Sequence, residues 1–532
     1  MIKTDIVLTT EYTEKELENA VCDRLGRHSS ALRGITLLKR SIDASKKPDL
    51  YFKMTVGLTL DESTERLLCG RKQFDKEDDL SFDIPTASPG LHPAVIGFGP
   101  AGMFAALVLS EAGAAPVVLE RGEDVDRRIA SVARFFGGGD LDSESNIQFG
   151  EGGAGAFSDG KLKSGRRDRY NQKVLSELVK AGAPEDIMYN AGAHIGTDRL
   201  PGVVKKIREK IISLGGSVIF GAKATDLSVV DGKIKAVKYE KDGVSHTIET
   251  NNVILAAGHS ATDIFELLKR HGVQMKPKGI GIGVRAEHPQ ALINELVYGS
   301  SCPPPRVGPA SYHLVTHLDN GRSVYSFCMC PGGSVVAAAS EKGGVVTNGM
   351  SAYARDGANA NAALLVSVTP EDYGDPDPLA GIRYQRAIER RVFEYTGGFT
   401  APVQKLCDFM AGSPSSSLGS VTPTYPRGAV LSELDRCLPG YITESLRLAI
   451  PEFEAWMPGY SLPDALLTAA ETRSTSPVCI IRNELRQTPG TEGLYPCGEG
   501  SGNAGGIVSS AVDGIKSAEM MILNSLDKKR GK

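Results

Sequence analysis

The sequence predicts an α/β fold, and three observations support that class. A glycine-rich turn lies between an apolar strand and an apolar helix at 94–111, short strands separated by Asp-Gly turns follow at 217–250, and a later strand ends in an acid at Glu499. The 532 residues are 41% apolar and 23% charged, which is typical of globular proteins. We therefore expect a dinucleotide-binding Rossmann domain at 94–276 and 471–525, an inserted α+β domain at 277–470 and a small N-terminal α+β domain at 1–85.

The N-terminal domain is predicted from local patterns. Apolar periodicity predicts strands at 6–9, 35–42 and 50–60 and a helix at 13–25. Thr13 and Glu16 form a capping box at the start of that helix, because each side chain can accept the backbone N–H of the other residue. Three prolines within Pro85–Pro93 predict a linker, so the next domain begins at Ala94.

The most specific motif is Ala94–Gly102, in which an apolar strand runs into Gly97-x-Gly99-x-x-Gly102 and then into the helix-forming run Met103–Glu111. Gly97 permits the tight turn, Gly99 lets the backbone approach a pyrophosphate, and Gly102 lets the helix pack closely on the sheet. Free N–H groups at the helix start would face the anion. The motif predicts a dinucleotide site.

A second strand, Pro116–Glu120, ends in a carboxylate 18 residues after Gly102. Glu120 is placed to accept hydrogen bonds from both hydroxyls of an adenosine ribose. It would repel a 2′-phosphate, which disfavours NADP at this site. The fingerprint alone does not separate NAD from FAD.

Beyond residue 200 the spacing changes from helical to strand-like. A helix predicted at 202–214 is followed by strands predicted at 217–220, 224–230, 233–239 and 245–250, which we interpret as a β-meander. Asp231-Gly232 and Asp242-Gly243 supply the left-handed residues of its hairpin turns. In the inserted domain we predict a strand at 325–329, a helix at 384–395 and a surface loop at 412–419.

The choice of dinucleotide rests on later segments. Asn252–His259 and Gly493–Gly500 are apolar strands ending in small residues or an acid, and Asn503–Ile507 opens a helix. With Glu120-Arg121-Gly122 and the meander, these segments resemble the three-part FAD site of the glutathione-reductase-like superfamily. A narrower resemblance, spanning most of 94–520, is to bacterial NAD(FAD)-utilising or FAD-dependent dehydrogenases. The segments that also look like that family are 150–162, 194–197, 328–333 and 471–477.

The resemblance implies a non-covalently bound FAD. The three fingerprint glycines would contact its pyrophosphate, Glu120 its adenosine ribose and Glu499 its ribityl chain. The backbone at Gly505 and Gly506 would stabilise negative charge on the pyrimidine edge of the reduced flavin. The full set of expected FAD contacts is Gly97, Gly99, Pro100, Ala101, Gly102, Glu120, Arg121, Ala257, Gly258, Gly498, Glu499, Gly505, Gly506 and Ile507.

Five residues are candidates for catalysis, namely Lys161, His259, Arg473, Cys328 and Cys330. A cation such as Lys161 or Arg473 near the ring would favour the anionic reduced flavin. The alternatives are that Lys161 is a solvated loop lysine and that Arg473 pairs with Glu471. Cys328 and Cys330 could exchange electrons with a flavin, but a two-residue separation strains a disulfide in a strand, which favours a packing role.

Two motifs of the disulfide reductases are absent from the sequence, which narrows the class of reaction. The sequence has neither a second glycine-rich nucleotide unit nor a Cys-x4-Cys pair after Glu120, which disfavours the chemistry of the disulfide reductases.

We expect no metal site, because His313 and His317 have irregular spacing relative to the cysteines. The nine cysteines include no Cys-x-x-Cys pair and are expected to be reduced thiols, with Cys497 a small buried residue.

The expected function is an oxidoreductase that exchanges hydride equivalents between FAD and an unidentified small molecule, with NAD(P)H as a candidate electron donor. The alternatives are a non-enzymatic FAD-containing redox sensor or scaffold and, less favoured, an RNA-modifying flavoprotein. A net charge of -4 gives no basis for general binding to nucleic acid or an anionic membrane, and the basic residues of 528–532 form only a short terminal tail.

Location is predicted from two segments. Residues 1–10 lack the basic start and apolar run of a signal peptide. The uncharged run Ala94–Ser110 is broken near its start by glycines and Pro100, which argues against a membrane span. We therefore expect a cytoplasmic protein with a small-molecule substrate and leave its oligomeric state open.

Overall fold

The computed structural model describes residues 1–71, 73–162 and 167–530, without the side chains of 528–530. The side chains of the basic tail at 528–532 therefore lie outside the described residues. The strands are β1 (Ile2–Thr9), β2 (Leu32–Lys46), β3 (Asp49–Leu60), β4 (Asp75–Lys76), β5 (Ala94–Ile96), β6 (Val117–Leu119), β7 (Ser217–Ile219), β8 (Lys223–Val230), β9 (Lys233–Lys241), β10 (Val244–Glu249), β11 (Val253–Leu255), β12 (Met275–Pro277), β13 (Ile280–Pro289), β14 (Val315–His317), β15 (Ser323–Cys330), β16 (Ser334–Ala337), β17 (Thr347–Met350), β18 (Asn359–Val368), β19 (Ala401–Lys405), β20 (Ala429–Leu431), β21 (Leu466–Glu471), β22 (Val478–Ile480) and β23 (Leu494–Pro496).

The helices are α1 (Glu14–Leu25), α2 (Glu62–Leu68), α3 (Pro100–Glu111), α4 (Val125–Phe136), α5 (Arg169–Lys180), α6 (Leu200–Ser213), α7 (Thr262–Arg270), α8 (Gln290–Tyr298), α9 (Ala380–Thr396), α10 (Leu406–Met410), α11 (Gly440–Trp456) and α12 (Ile507–Arg530). In the described ranges, no helix combines the length and apolar character needed to cross a bilayer.

The N-terminal sheet has the strand order β2-β3-β1-β4, with α1 following β1. The capping box predicted at α1 is present: the Thr13 side chain accepts the N–H of Glu16, and the Glu16 carboxylate accepts the N–H of Thr13 at 2.7 Å. The β1 and β3 faces bury Ile2, Phe52 and Val56.

Five short parallel strands form the sheet that carries the fingerprint, in the order β23-β11-β5-β6-β7. Helix α3 is buried from Ala101 to Ser110 and belongs to the same apolar core as much of α6 and α12. A helix that is apolar on all sides is stable only when it is enclosed in this way. The carboxyl ends of β5, β11 and β23 meet at one edge, where ligands bind in open α/β sheets.

The β-meander is confirmed in part. Strands β8, β9 and β10 form a three-stranded antiparallel sheet, and its two hairpin turns place Asp231 and Asp242 at φ 49° and 52°. The predicted strand at 217–220 was wrongly assigned to the meander, because β7 pairs in parallel with β6 instead. Its partner lies about a hundred residues earlier in the chain, so no local pattern reveals the pairing.

Residues between β12 and β22 build a seven-stranded sheet with the order β14-β15-β18-β13-β21-β19-β20. Strands β13 and β18 form its centre and are almost wholly buried, with α11 packed against them. Strands β12 and β22 pair with each other where the chain enters and leaves this region. The segment 412–419 is irregular and largely exposed, as expected for a surface loop.

Candidate functional site

A large cavity runs along the carboxyl edge of the parallel sheet and reaches the seven-stranded sheet. It holds about 1570 Å³ of space, its open mouth included. The expected site residues in its wall are Gly97, Gly99, Pro100, Ala101, Glu120, Arg121, Lys161, Ala257, Gly258, His259, Cys328, Arg473, Gly498, Glu499, Gly506 and Ile507. Of the described residues expected at the site, Gly102, Gly505 and Cys330 lie outside this wall.

The fingerprint glycines have the conformations that the turn requires. Gly97 has φ +94°, and a Cβ there would lie 2.4 Å from the carbonyl oxygen of Ala256. A Cβ on Gly102 would lie 1.9 Å from the carbonyl oxygen of Gly97, so Gly102 allows α3 to pack against the turn. Gly99 caps α3 without any side-chain hydrogen bond. The first-turn N–H groups of α3 thus remain available to an anion in the cavity.

Glu120 is held by backbone donors. Its side chain is buried, and its two oxygens accept N–H groups from Phe98 at 2.8 Å, Gly122 at 2.9 Å and Gly150 at 3.0 Å. A carboxylate has about four acceptor positions, so this arrangement leaves one for a ligand. The expectation that Glu120 accepts from both ribose hydroxyls is therefore wrong, because backbone donors occupy the other positions. Neighbouring Arg121 lies 4.4 Å above the Phe149 ring and pairs with acidic side chains at the cavity edge.

The loop between β23 and α12 contributes Gly498, Glu499 and Gly506 to another part of the cavity wall. Burial raises the pKa of Glu499 to about 7, although the nearby Lys278 ammonium opposes the shift. Within the described part of the chain, no hydrogen bond to the Glu499 carboxylate is found. Glu499 is partly buried, and a partly buried carboxylate without a hydrogen-bond partner is costly, so a ligand hydroxyl would stabilise it.

At two glycines in the wall, the backbone is left uncovered by any side chain. Gly258 and Gly506 both line the cavity with positive φ, and open space lies where their Cβ atoms would stand. Together with the free carboxylate of Glu499 and the start of α3, these surfaces fit a long ligand that carries phosphates and hydroxyls and lies flat against the backbone. The residues present therefore fit a bound FAD.

Arg473 lies in the wall and forms a two-pronged ion pair with Glu389, with contacts of 2.8 and 2.9 Å. The expected alternative, a pair between Arg473 and Glu471, is wrong. Glu471 instead bonds Arg285 at 3.2 Å and Thr347 at 3.3 Å. Arg285 comes from the centre of β13 and reaches this carboxylate across the sheet, a contact that sequence spacing does not reveal.

His259 and Lys161 have different charges in this wall. Burial, reinforced by Arg473, lowers the pKa of His259 to about 4, so its imidazole is neutral near pH 7. Burial opposes the Lys161 charge, but Cys330, Cys328 and Asp159 outweigh it and raise the pKa of Lys161. Lys161 pairs with Asp159 at 2.9 Å and also donates to the carbonyl of Met329. The alternative of a solvated loop lysine is therefore wrong.

The two candidate cysteines occupy different positions. Cys328 lies in the cavity wall, whereas Cys330 is fully buried behind it. Both are free thiols, as is the buried Cys497, whose pKa is raised by burial. Among the described residues, no group of three or more His, Cys, Asp or Glu side chains could hold a metal ion.

Sequence reasoning missed several wall residues, among them Phe327, Asn348 and Glu471. Arg285 supports this part of the wall and could have been found, because it is the first charged residue after the apolar run 280–284 of β13. Its guanidinium is fully buried, and a buried charge requires a specific partner. Phe327 carried no comparable signal, since aromatic residues are common in strands.

Comparison with known proteins relates the chain to FAD-dependent proteins. A family model described as "FAD-dependent protein, C-terminal domain-like" matches residues 279–474, and a domain of unknown function matches residues 1–59. An uncharacterized protein of Clostridium beijerinckii is 46% identical over 517 residues, covering 95% of this chain and 95% of the relative. The family model and the five-stranded parallel sheet with its glycine turn define an FAD-dependent protein with a Rossmann-type nucleotide-binding domain. The chain belongs to the family of FAD-dependent proteins that includes the Clostridium relative.

Solved structures with similar chain paths include two flavoproteins. A flavin-dependent brominase is 13% identical, with 82% of this chain and 80% of that chain covered and a TM-score of 0.38. A flavoprotein/dehydrogenase from Cytophaga hutchinsonii is 11% identical, with 83% and 79% covered and a TM-score of 0.37.

Proposed function

We propose that the chain binds FAD non-covalently along the cavity and exchanges hydride equivalents between it and a small molecule. The observation that supports this most strongly is the meeting of four groups at one cavity: the N-terminal ends of α3 and α12 and the carboxylates of Glu120 and Glu499. Helix starts bind anions and carboxylates bind hydroxyls, which are the groups that a dinucleotide presents.

Each element then has a separate binding role. The start of α3 at Gly99 would hold the pyrophosphate, Glu120 a hydroxyl of the adenosine ribose, and Glu499 the ribityl chain. The backbone beside Gly506 would donate to the pyrimidine edge of the flavin. Because Glu499 has no hydrogen-bond partner within the described chain, this contact would also remove the cost of its burial.

The residues near the flavin ring would control the charge of the reduced ring. Bound FAD supplies two-electron chemistry, and the protein supplies orientation and electrostatics. The Lys161 ammonium would favour negative charge on the reduced ring, whereas His259 remains neutral near pH 7. The positive charge of Arg473 is largely balanced by Glu389, so we assign Arg473 to positioning the wall.

The region 277–470 would cover the reactive face and form most of the substrate pocket. Phe327, Cys328 and Asn348 already bring this region into the cavity wall. Pockets form readily where two such units meet, and covering the ring would limit its reaction with oxygen.

Anaerobic reduction tests the proposed activity. We expect NADH or NADPH to bleach the flavin absorbance rapidly and a suitable small-molecule acceptor to restore it over many turnovers. Slow reduction without turnover, with both nucleotides and a panel of acceptors, would contradict hydride exchange. It would support the redox-sensor alternative instead.

A further inference from the structure

The backbone at Cys328 is unusual. Strand β15 loses its regular pairing with β18 between Phe327 and Cys330, and Cys328 has φ +44°. A left-handed conformation is rare for a residue other than glycine, and it often marks a functional site. A packing role was expected for the two cysteines because a disulfide between them would be strained in a regular strand. The bulge ends the regular alternation of side chains at this point, so that reason no longer applies.

Cationic groups surround the two thiols. The Arg285 guanidinium lies 3.7 Å from the Cys330 sulfur and donates to the Cys328 carbonyl at 2.9 Å. Lys161 bonds the carbonyl of Met329, between the two cysteines. The Cys330 thiol donates to the Cys328 carbonyl at 3.3 Å. Interaction with the Cys328 side chain, aided by both cations against the cost of burial, lowers the pKa of the Cys330 thiol. A thiolate is thus favoured at the buried position.

The two cysteines also differ in how accessible they are from the cavity. Cys328 faces the cavity beside Phe327, which is 44% exposed, while Cys330 has no exposed surface. An incoming thiolate can therefore reach only the outer sulfur. In thiol–disulfide exchange the sulfur with the lower pKa leaves faster, and this position belongs to Cys330.

We propose that Cys328 and Cys330 form a redox-active dithiol–disulfide pair that carries two electrons between bound FAD and a small dithiol compound. The proposal rests on the proposed function, because it requires FAD as the electron partner. A substrate thiolate attacks the Cys328 sulfur of the disulfide, and Cys330 leaves as the thiolate. The second substrate thiol then displaces Cys328, which takes up the proton, and the substrate departs as a disulfide.

The pair is then reoxidised. The Cys330 thiolate and the Cys328 thiol give two electrons and one proton to FAD, which yields the disulfide and the anionic reduced flavin. One thiolate and one thiol are consumed and one disulfide forms, so charge, protons and electrons balance.

Two measurements on the air-oxidised holoprotein test the pair without any substitution. Of nine cysteines, the bridged pair should be missing from the thiols that react after denaturation, and all nine should react after reduction. The tryptic peptide 323–342 contains both cysteines and no other, so its mass should be lower by two hydrogens. Anaerobic dithionite titration should consume four electrons per FAD rather than two.

Cys330→Ser should lower the uptake to two electrons per FAD, whereas Cys302→Ser, at an exposed site, should still take four. If Cys330→Ser does not fold, the wild-type titration and thiol count decide the matter. Full FAD occupancy with two-electron uptake and nine free thiols would overturn the dithiol pair while leaving FAD binding intact. A chain that contains no FAD would overturn the proposed function and this inference together.

Discussion

Replacing Glu120 by glutamine should lower both the stability of the apoprotein and its affinity for FAD, and the two effects can be measured separately. In the wild-type protein the carboxylate accepts three backbone N–H groups, from Phe98, Gly122 and Gly150. In either orientation the amide group of the substituted side chain would direct its own N–H₂ at one or more of these donors. One buried donor left unpaired costs about 1–3 kcal/mol, so we expect the apoprotein to lose about that much stability.

The effect on FAD affinity follows from the remaining acceptor position. One charge-assisted hydrogen bond to a ribose hydroxyl contributes about 1.5–3 kcal/mol, so Glu120→Gln should raise the Kd for FAD roughly 10- to 150-fold. The Kd is measured by titrating FAD into stripped apoprotein, and stability is measured by urea unfolding without FAD.

Glu123→Gln is the matched control, because Glu123 is a nearby carboxylate that bonds Ser131 and Ser145 and does not line the cavity. The Kd of the Glu123→Gln variant for FAD should stay within about twofold of the wild-type value, which corresponds to a change of at most about 0.4 kcal/mol in binding free energy. The reasoning is refuted if the Glu120 variant also binds FAD within twofold of wild type.

Three further predictions concern folding and pH. Gly102→Ala should destabilise the protein by at least about 1–3 kcal/mol in urea, because its Cβ would meet the Gly97 carbonyl, and an unchanged midpoint would contradict this. Arg473→Ala should lower the free energy of unfolding by about 3–5 kcal/mol, because it leaves the buried Glu389 charge without its partner. Adding Glu389→Gln to this variant should restore part of the lost stability. If the destabilising effects of the two substitutions simply add, the pairing is contradicted. Glu499→Gln should raise the apoprotein Tm at pH 8 but not near pH 4.5. The pKa of Glu499 is raised from 4.5 to about 7 on folding, so the wild-type protein loses stability as pH rises from about 4.5 to about 7 and loses no more above that. A Tm difference that is constant with pH would contradict a raised pKa for a partly buried Glu499 without a hydrogen-bond partner.

Features set by neighbouring residues could be predicted from the sequence. The capping box of Thr13 and Glu16 and the turn residues Asp231 and Asp242 depend on interactions within a few residues. The fingerprint was predictable for the same reason, because a strand, a glycine turn and a helix start are consecutive in the chain. These local signals were enough to predict the parallel sheet and where its ligand edge lies.

Features that depend on distant residues could not be predicted. Strand β7 was assigned to the meander because its partner β6 is far away in sequence. Arg473 finds Glu389 on α9 rather than the adjacent Glu471, since the strand geometry directs Glu471 to Arg285. The bulge at Cys328 also arises from pairing with β18, so a regular strand was the only expectation that local spacing allowed.

Identification of the small molecule released from the purified protein tests the central claim most directly. The protein should be yellow, and denaturation should release about one equivalent of FAD per chain, identified by mass and absorbance, with no flavin left attached to the polypeptide. Release of NAD alone, with no flavin, from a folded preparation would contradict the assignment of the cavity to FAD.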